Sequence, residues 1–120
     1  KQIKIIQWTN NINKYYKSSK ILVLPSFFEG FGNVLIEALN FNLPCVSTKN
    51  DGPKEILVNG KYGLLMKDNK ANTINSSLRH VIKNYNLFKL KAVEGFKNNQ
   101  KYHINIIGKK YLSKIGSVLR

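Results

Sequence analysis

Apolar residues fall in short runs separated by polar turns. Four runs have strand length: "IKIIQW" (Ile3 to Trp8), "KILVLPS" (Lys20 to Ser26), "LPCVST" (Leu43 to Thr48) and "YGLLM" (Tyr62 to Met66). Ile21 to Leu24 are apolar without interruption, as in a parallel strand covered on both faces. Pro25, which has no N–H for the ladder, ends that strand. Between the first two runs, "NNINKYYKSS" predicts a short helix with Tyr15 and Tyr16 as packing points. After Gly32 the period changes. At about 100° per residue, Val34, Leu35, Ala38, Leu39 and Phe41 share one face, with Glu37 on its border beside Asn33 and Asn40. "NDGPKEILVNG" predicts a turn into a short helix, with Pro53 in its first turn and Gly60 as its stop.

Beyond Asp68 the pattern is helical throughout. Asn72 or Thr73 is placed to cap "INSSLRHVIKNY"; "NLFKLKAVEGFKNNQ" forms a second helix and "INIIGKKYLSKIGSVLR" a third. In the third, Ile104, Ile107, Tyr111, Leu112, Ile115, Val118 and Leu119 line one side. Strands alternating with helices predict an α/β fold with a parallel sheet. Such sheets bind ligands beyond the carboxyl ends of their strands.

The length of 120 residues suits one domain or a piece of one. No apolar run approaches the ~20 residues of a membrane span, and the first residues have no signal-peptide core. The lone cysteine, Cys45, lies in a strand-like run, where a buried packing role is expected. His80 and His103 fall on separate helices, so no metal site is expected.

The formal charge of +14, nearly all from lysine, favours polyanions, anionic lipid headgroups and phosphorylated ligands. A/T-rich codons impose the same excess of lysine, asparagine and isoleucine. A basic nucleic-acid-binding domain without enzymatic activity is the rival reading, through residues 83–101 and 109–114. Scattered lysines, scarce arginine and the lack of a binding motif argue against it. Lys109, Lys110 and Lys114 beside the last apolar stripe also suit an anionic membrane surface. The sequence favours the alternative, in which the stripe packs on the sheet or on a domain outside this chain.

Against this basic background, "EGFGN" sets Glu29 before two glycines and Glu37 one turn into the helix that follows. Gly30 and Gly32 free the backbone and let a ligand approach it. A helix beginning near Asn33 aims its first N–H groups at an anion such as a diphosphate. Carboxylates suit diols, because each oxygen accepts a separate O–H. The ligand that satisfies both has a negative part and a hydroxylated part, as a nucleotide sugar does. Two glutamates eight apart are by themselves weak evidence, and the third glycine of the dinucleotide fingerprint is missing.

The wider string, "LPSFFEGFGNVLIEALNFNLPCVSTKNDGPKEILVNGKYGLLM", resembles the C-terminal, donor-binding domain of the group 1 family of retaining glycosyltransferases with the GT-B fold. The shared pattern is P-S-x-x-E-G-F-G-x-x-x-x-E-A, then P-x-V, a glycine-rich turn, x-E-I and G-x-L, over Ile21 to Met66. The resemblance implies a Rossmann-like parallel sheet with flanking helices. It implies that residues 1–120 are an N-terminally truncated nucleotide-sugar-binding domain, with the acceptor-binding domain outside the chain. By position, Glu29 matches the acid beside the transferred sugar and Glu37 the acid that holds the ribose hydroxyls. Gly30, Phe31, Gly32 and Asn33 match the loop that contacts sugar and phosphates, and Val34 begins the helix aimed at the diphosphate. Trp8 and Thr9 match, more loosely, a region near the base. Glu55 matches an acid of structural role.

The implied parent transfers a sugar from a nucleotide-diphosphate donor to an acceptor hydroxyl with retention, in bacterial cell-surface polysaccharide or glycolipid synthesis. It needs no metal or other cofactor, and its acceptor is a glycan or lipid-linked sugar. The expected location is the cytoplasm or the inner face of the plasma membrane. There are departures. Asn42 stands where the family often has glycine, in a left-handed turn that asparagine tolerates. Lys49 and Asp51 replace small residues. The upstream basic pair that neutralises the leaving diphosphate lies outside this chain.

Overall fold

The computed structural model describes residues 2–118. The order is α1 (Asn13–Ser18), β1 (Leu22–Leu24), α2 (Asn33–Asn40), β2 (Cys45–Thr48), α3 (Asp51–Ile56), β3 (Leu64–Met66), α4 (Ala71–Lys83), α5 (Tyr85–Asn99), a 3-10 turn over Gln100–Tyr102, and α6 (Ile104–Val118). The three strands form one parallel sheet in the order β1-β2-β3. Leu22 to Leu24 pair with Cys45 to Ser47, and Val46 to Thr48 pair with Leu64 to Met66.

Strand side chains alternate between faces, and two apolar clusters follow from that. Leu22, Leu24, Cys45 and Leu65 join one cluster with Leu35, Leu39, Ile56 and Ala92. Val23, Val46, Leu64 and Met66 join the other with Val81 and Phe88. The face read for α2 is the packed one: Leu35, Ala38 and Leu39 are buried, and Glu37 beside them is exposed. Burial pushes the Cys45 thiol up to about 12, the behaviour of a packing residue. Asn42 takes φ 54°, the left-handed turn expected of it.

Four expectations need correction. Ile3 to Trp8 form no strand; Ile3, Ile5 and Trp8 are 80%, 90% and 88% exposed. A strand exists only through a neighbour's ladder, and among the described residues none pairs with this run. β1, as an edge strand, is packed on both faces but only half-buried. Helix α4 starts at Ala71, so neither Asn72 nor Thr73 is its cap. Instead the Asp68 carboxylate accepts the Lys70 N–H at 3.0 Å, and hydrogen bonds from Thr73 and Lys70 hold it below the usual carboxylate range. The α6 stripe does not pack on the sheet: Ile104, Tyr111, Leu112 and Ile115 are exposed, and Leu119 lies outside the described residues.

Candidate functional site

The segment joining β1 to α2 crosses the carboxyl end of the sheet. Gly32 is the N-cap of α2, with φ 88° and ψ 51°, and makes no side-chain cap. That backbone shape favours glycine. The Leu35 N–H donates to the Gly32 carbonyl at 2.9 Å and closes the first turn. The N–H groups of Asn33 and Val34 precede the first intrahelical donor and have no partner among the described residues. This is the positive end of the helix dipole. Asn33 is exposed and Val34 half-buried. Gly30 is exposed, and a Cβ there would meet nothing within 4 Å. The loop therefore offers free donors and open space beside the main chain.

Contacts from the end of β2, the segment after it and Tyr102 hold this loop in place. Gly52, buried in the first turn of α3, lies against the Gly30 and Phe31 carbonyls so closely that a side chain there would overlap them. The Thr48 hydroxyl donates to the Ser26 carbonyl at 2.6 Å, and the Asn50 amide donates to the same carbonyl at 3.3 Å and to Thr48 Oγ1 at 3.1 Å. The Phe31 ring meets Tyr102 edge-on, with centroids 5.4 Å apart. Tyr102 donates its hydroxyl to Glu55 at 2.8 Å, which agrees with a structural part for that acid. Burial, helped by the Glu55 carboxylate, pushes the Tyr102 phenol up to about 12. Nothing in the sequence assigns a role to Gly52, Thr48, Asn50 or Tyr102. Only the "NDGP" turn signalled that this segment is special.

The two acids have different neighbours. Glu29 is half-buried and lies along Gly32, its Cγ 3.4 Å from where a Cβ on that glycine would stand. Glu37 accepts the Tyr16 hydroxyl at 2.7 Å on Oε2. Tyr16 is 5% exposed and stacked on Phe41, with centroids 5.4 Å apart and planes at 20°. Burial, and then the Glu37 bond and charge, raise its phenol far above the ordinary value. No hydrogen bond joins Glu29 to Glu37. Trp8 and Thr9 are not brought to them by any hydrogen bond or ring contact among the described residues. Trp8 is exposed, and Thr9 Oγ1 accepts the Asn11 N–H at 3.1 Å just ahead of α1.

A cleft of about 160 Å³ runs across the carboxyl ends of all three strands, lined by Ser26, Phe27, Thr48, Asn50, Lys67 and Asp68. Clefts of about 570 and 670 Å³ lie elsewhere, one between α3 and α6 and one between β3 and α4. None of these three is lined by the glycine loop, Glu29 or Glu37. His80 and His103 are both exposed, and no group of three or more His, Cys, Asp or Glu among the described residues could hold a metal ion.

Residues 1–102 match the family described as "Glycosyl transferases group 1". The chain belongs to that family. This group 1 glycosyltransferase chain is 38% identical over 86 residues to a probable sucrose-phosphate synthase of Thermosipho melanesiensis, covering 61% of the chain and 20% of that protein. It is 34% identical over 101 residues to the sucrose-phosphate synthase of Spinacia oleracea, covering 84% of the chain and 10% of that enzyme. It is 31% identical over 109 residues to the amylovoran biosynthesis glycosyltransferase AmsD of Erwinia amylovora, covering 90% of the chain and 30% of that protein. The chain thus spans a fifth or less of the length of these synthases. Among solved structures, HepE of Anabaena in complex with UDP superposes with a TM-score of 0.82 at 19% identity, over 91% of the chain and 30% of HepE. The sucrose-phosphate synthase of Thermosynechococcus elongatus gives 0.73 at 21%, over 88% of the chain and 28% of that structure. The three-stranded parallel sheet with its flanking helices is part of a GT-B fold.

Proposed function

We propose that this group 1 glycosyltransferase chain binds the nucleotide-sugar donor of a retaining sugar transfer. The bond from the anomeric carbon to the diphosphate breaks, a bond to an acceptor hydroxyl oxygen forms on the same face of the sugar, and the hydroxyl proton leaves. The observation that supports this best is the uncapped start of α2, with its free Asn33 and Val34 N–H groups at the end of β1 and the Glu37 carboxylate exposed on the same helix. The amides take the diphosphate and stabilise the charge it gains on departure. Glu37 takes the ribose hydroxyls, and Glu29, beside the loop, takes the transferred sugar and orients it. Phe31 and the open backbone at Gly30 line the approach. Trp8 and Thr9 serve the base only if their segment folds toward the cleft.

A complex of HepE with UDP favours a uridine donor, and the likeness to AmsD favours polysaccharide synthesis. Acceptors would then be a glycan or lipid-linked sugar, met in the cytoplasm or at the inner membrane face. No helix among the described residues is long and apolar enough to cross a membrane. The test is turnover of a nucleotide-sugar panel by the intact protein, with Glu37→Ala and Glu29→Gln. Glu37→Ala should raise KM for the donor, and Glu29→Gln should mainly lower kcat. Unchanged kinetics in both variants would reject these roles.

A further inference from the structure

Glu37 stands in a chain with twenty basic and six acidic residues, yet it takes no lysine. The two ion pairs among the described residues are Lys54 with Asp51 and Lys97 with Glu94. Its partner is instead the neutral hydroxyl of Tyr16, 21 positions earlier and on a different helix, at 2.7 Å. The choice of donor matters. A lysine would cancel the carboxylate charge and compete for its oxygens. A phenol donates one hydrogen bond to Oε2 and leaves the negative charge in place. Oε1 then has no partner among the described residues, and a carboxylate has room for several donors.

Tyr16 is itself held firmly. Its ring is buried and stacked on Phe41, which directly follows the last turn of α2. The hydroxyl thus reaches Glu37 from a fixed point, whereas a glutamate on an exposed helix face otherwise samples many rotamers. Immobilising such a side chain on binding costs affinity, and a site that has already fixed it avoids that loss. Its raised pKa keeps the phenol protonated, and so a donor, at any working pH.

We infer that Tyr16 is a positioning residue for the donor nucleotide, holding the Glu37 carboxylate in the orientation that receives the ribose hydroxyls. The inference rests on the role proposed above for Glu37. A merely structural bond, tying α1 to α2, would affect stability and leave ligand selectivity alone. Tyr16→Phe removes the hydroxyl and keeps the stacked ring. 4-Fluorophenylalanine at the same position is a second donor-less ring should the first variant fail to fold, and 4-aminophenylalanine restores an N–H donor.

In the intact protein, donor kinetics and inhibition by UDP and by its 2′,3′-dideoxy analogue are compared. Tyr16→Phe should raise KM about five- to tenfold, the factor worth roughly one ordered side chain, with kcat within about twofold. The 4-amino ring should restore KM, and the dideoxy analogue should inhibit both forms equally. In a Glu37→Ala background, removing the hydroxyl should cost nothing further. Unchanged KM in the donor-less variants, beside a raised KM in Glu37→Ala, overturns the positioning role alone. So does a penalty that persists without Glu37 or with the dideoxy analogue. If Glu37→Ala itself leaves KM unchanged, the ribose reading fails first and the role of Tyr16 falls with it.

Discussion

Gly52 in the first turn of α3 lies flat against the Phe31 carbonyl in the loop after β1, with no room for a side chain between them. Two segments twenty-one residues apart are thereby packed backbone to backbone, one following β1 and one following β2. The obstacle is main chain on both sides and cannot rotate away. Gly52→Ala should cost about 1–3 kcal/mol, as overpacking of a tight site does, and should weaken nucleotide binding through displacement of the loop. Denaturant melts and UDP affinity measured on the same protein check both effects. A variant as stable and as tight as the parent would contradict the packing.

The two glycines of the motif should respond differently. Gly32 sits at φ 88°, where an added Cβ is strained, so Gly32→Ala should cost about 1–2 kcal/mol. Gly30 has open space around it and no positive φ, so Gly30→Ala should fall within about 0.5 kcal/mol of the parent. Thermal melts of the pair give the ranking directly. A bulkier Gly30→Val should still fold, and should lose nucleotide affinity by filling the approach.

The position of Tyr102 predicts a change at high pH. Its folded pKa is raised from 10.0 to about 12, mainly by burial and then by its bond to Glu55. The folded chain therefore holds this proton more tightly than the unfolded chain does. The resulting stability is fully present below about pH 10 and is lost as pH rises toward about 12. Tyr102→Phe should remove that portion of the alkaline slope. Phenolate absorbance, compared between parent and variant, should place the missing ionisation near 12; a midpoint at the ordinary tyrosine value would contradict it.

Cys45 should be inert in the native protein. The thiol is buried, donates to the Leu43 carbonyl at 3.2 Å and is held up to about 12 by desolvation, so almost no thiolate exists at neutral pH. Labelling by a thiol reagent should proceed only through unfolding and should accelerate with urea along the stability curve. Fast stoichiometric labelling without denaturant would show a more open core than the one described.

The elements with strong periodicity were legible in the sequence. β1, β2, β3 and α2 lie where the apolar runs and Gly32 put them, because continuous apolar runs and a helical stripe have few other ways to be buried. Ile3 to Trp8 carried the same strand signal and form none, since composition states a wish for burial and cannot supply the neighbouring ladder. The α6 stripe finds no cover on the sheet for the same reason. In the site, the glutamates and glycines could be read from their order along the chain. The contacts around them could not. Tyr16 reaches Glu37 from a different helix, and Gly52 is required by a loop twenty-one residues earlier. No local spacing encodes either relationship. The need for glycine at position 52 becomes visible only once the sheet has brought the two loops together.

Backbone amide NMR of the protein titrated with UDP reports on the amides proposed to gather the diphosphate. The expected result is saturable shifts concentrated on Gly30 to Val34, with Glu37 and Tyr16 following. Shifts confined to the lysines of α6 or to the cleft between α3 and α6, with the start of α2 silent, would contradict that proposal.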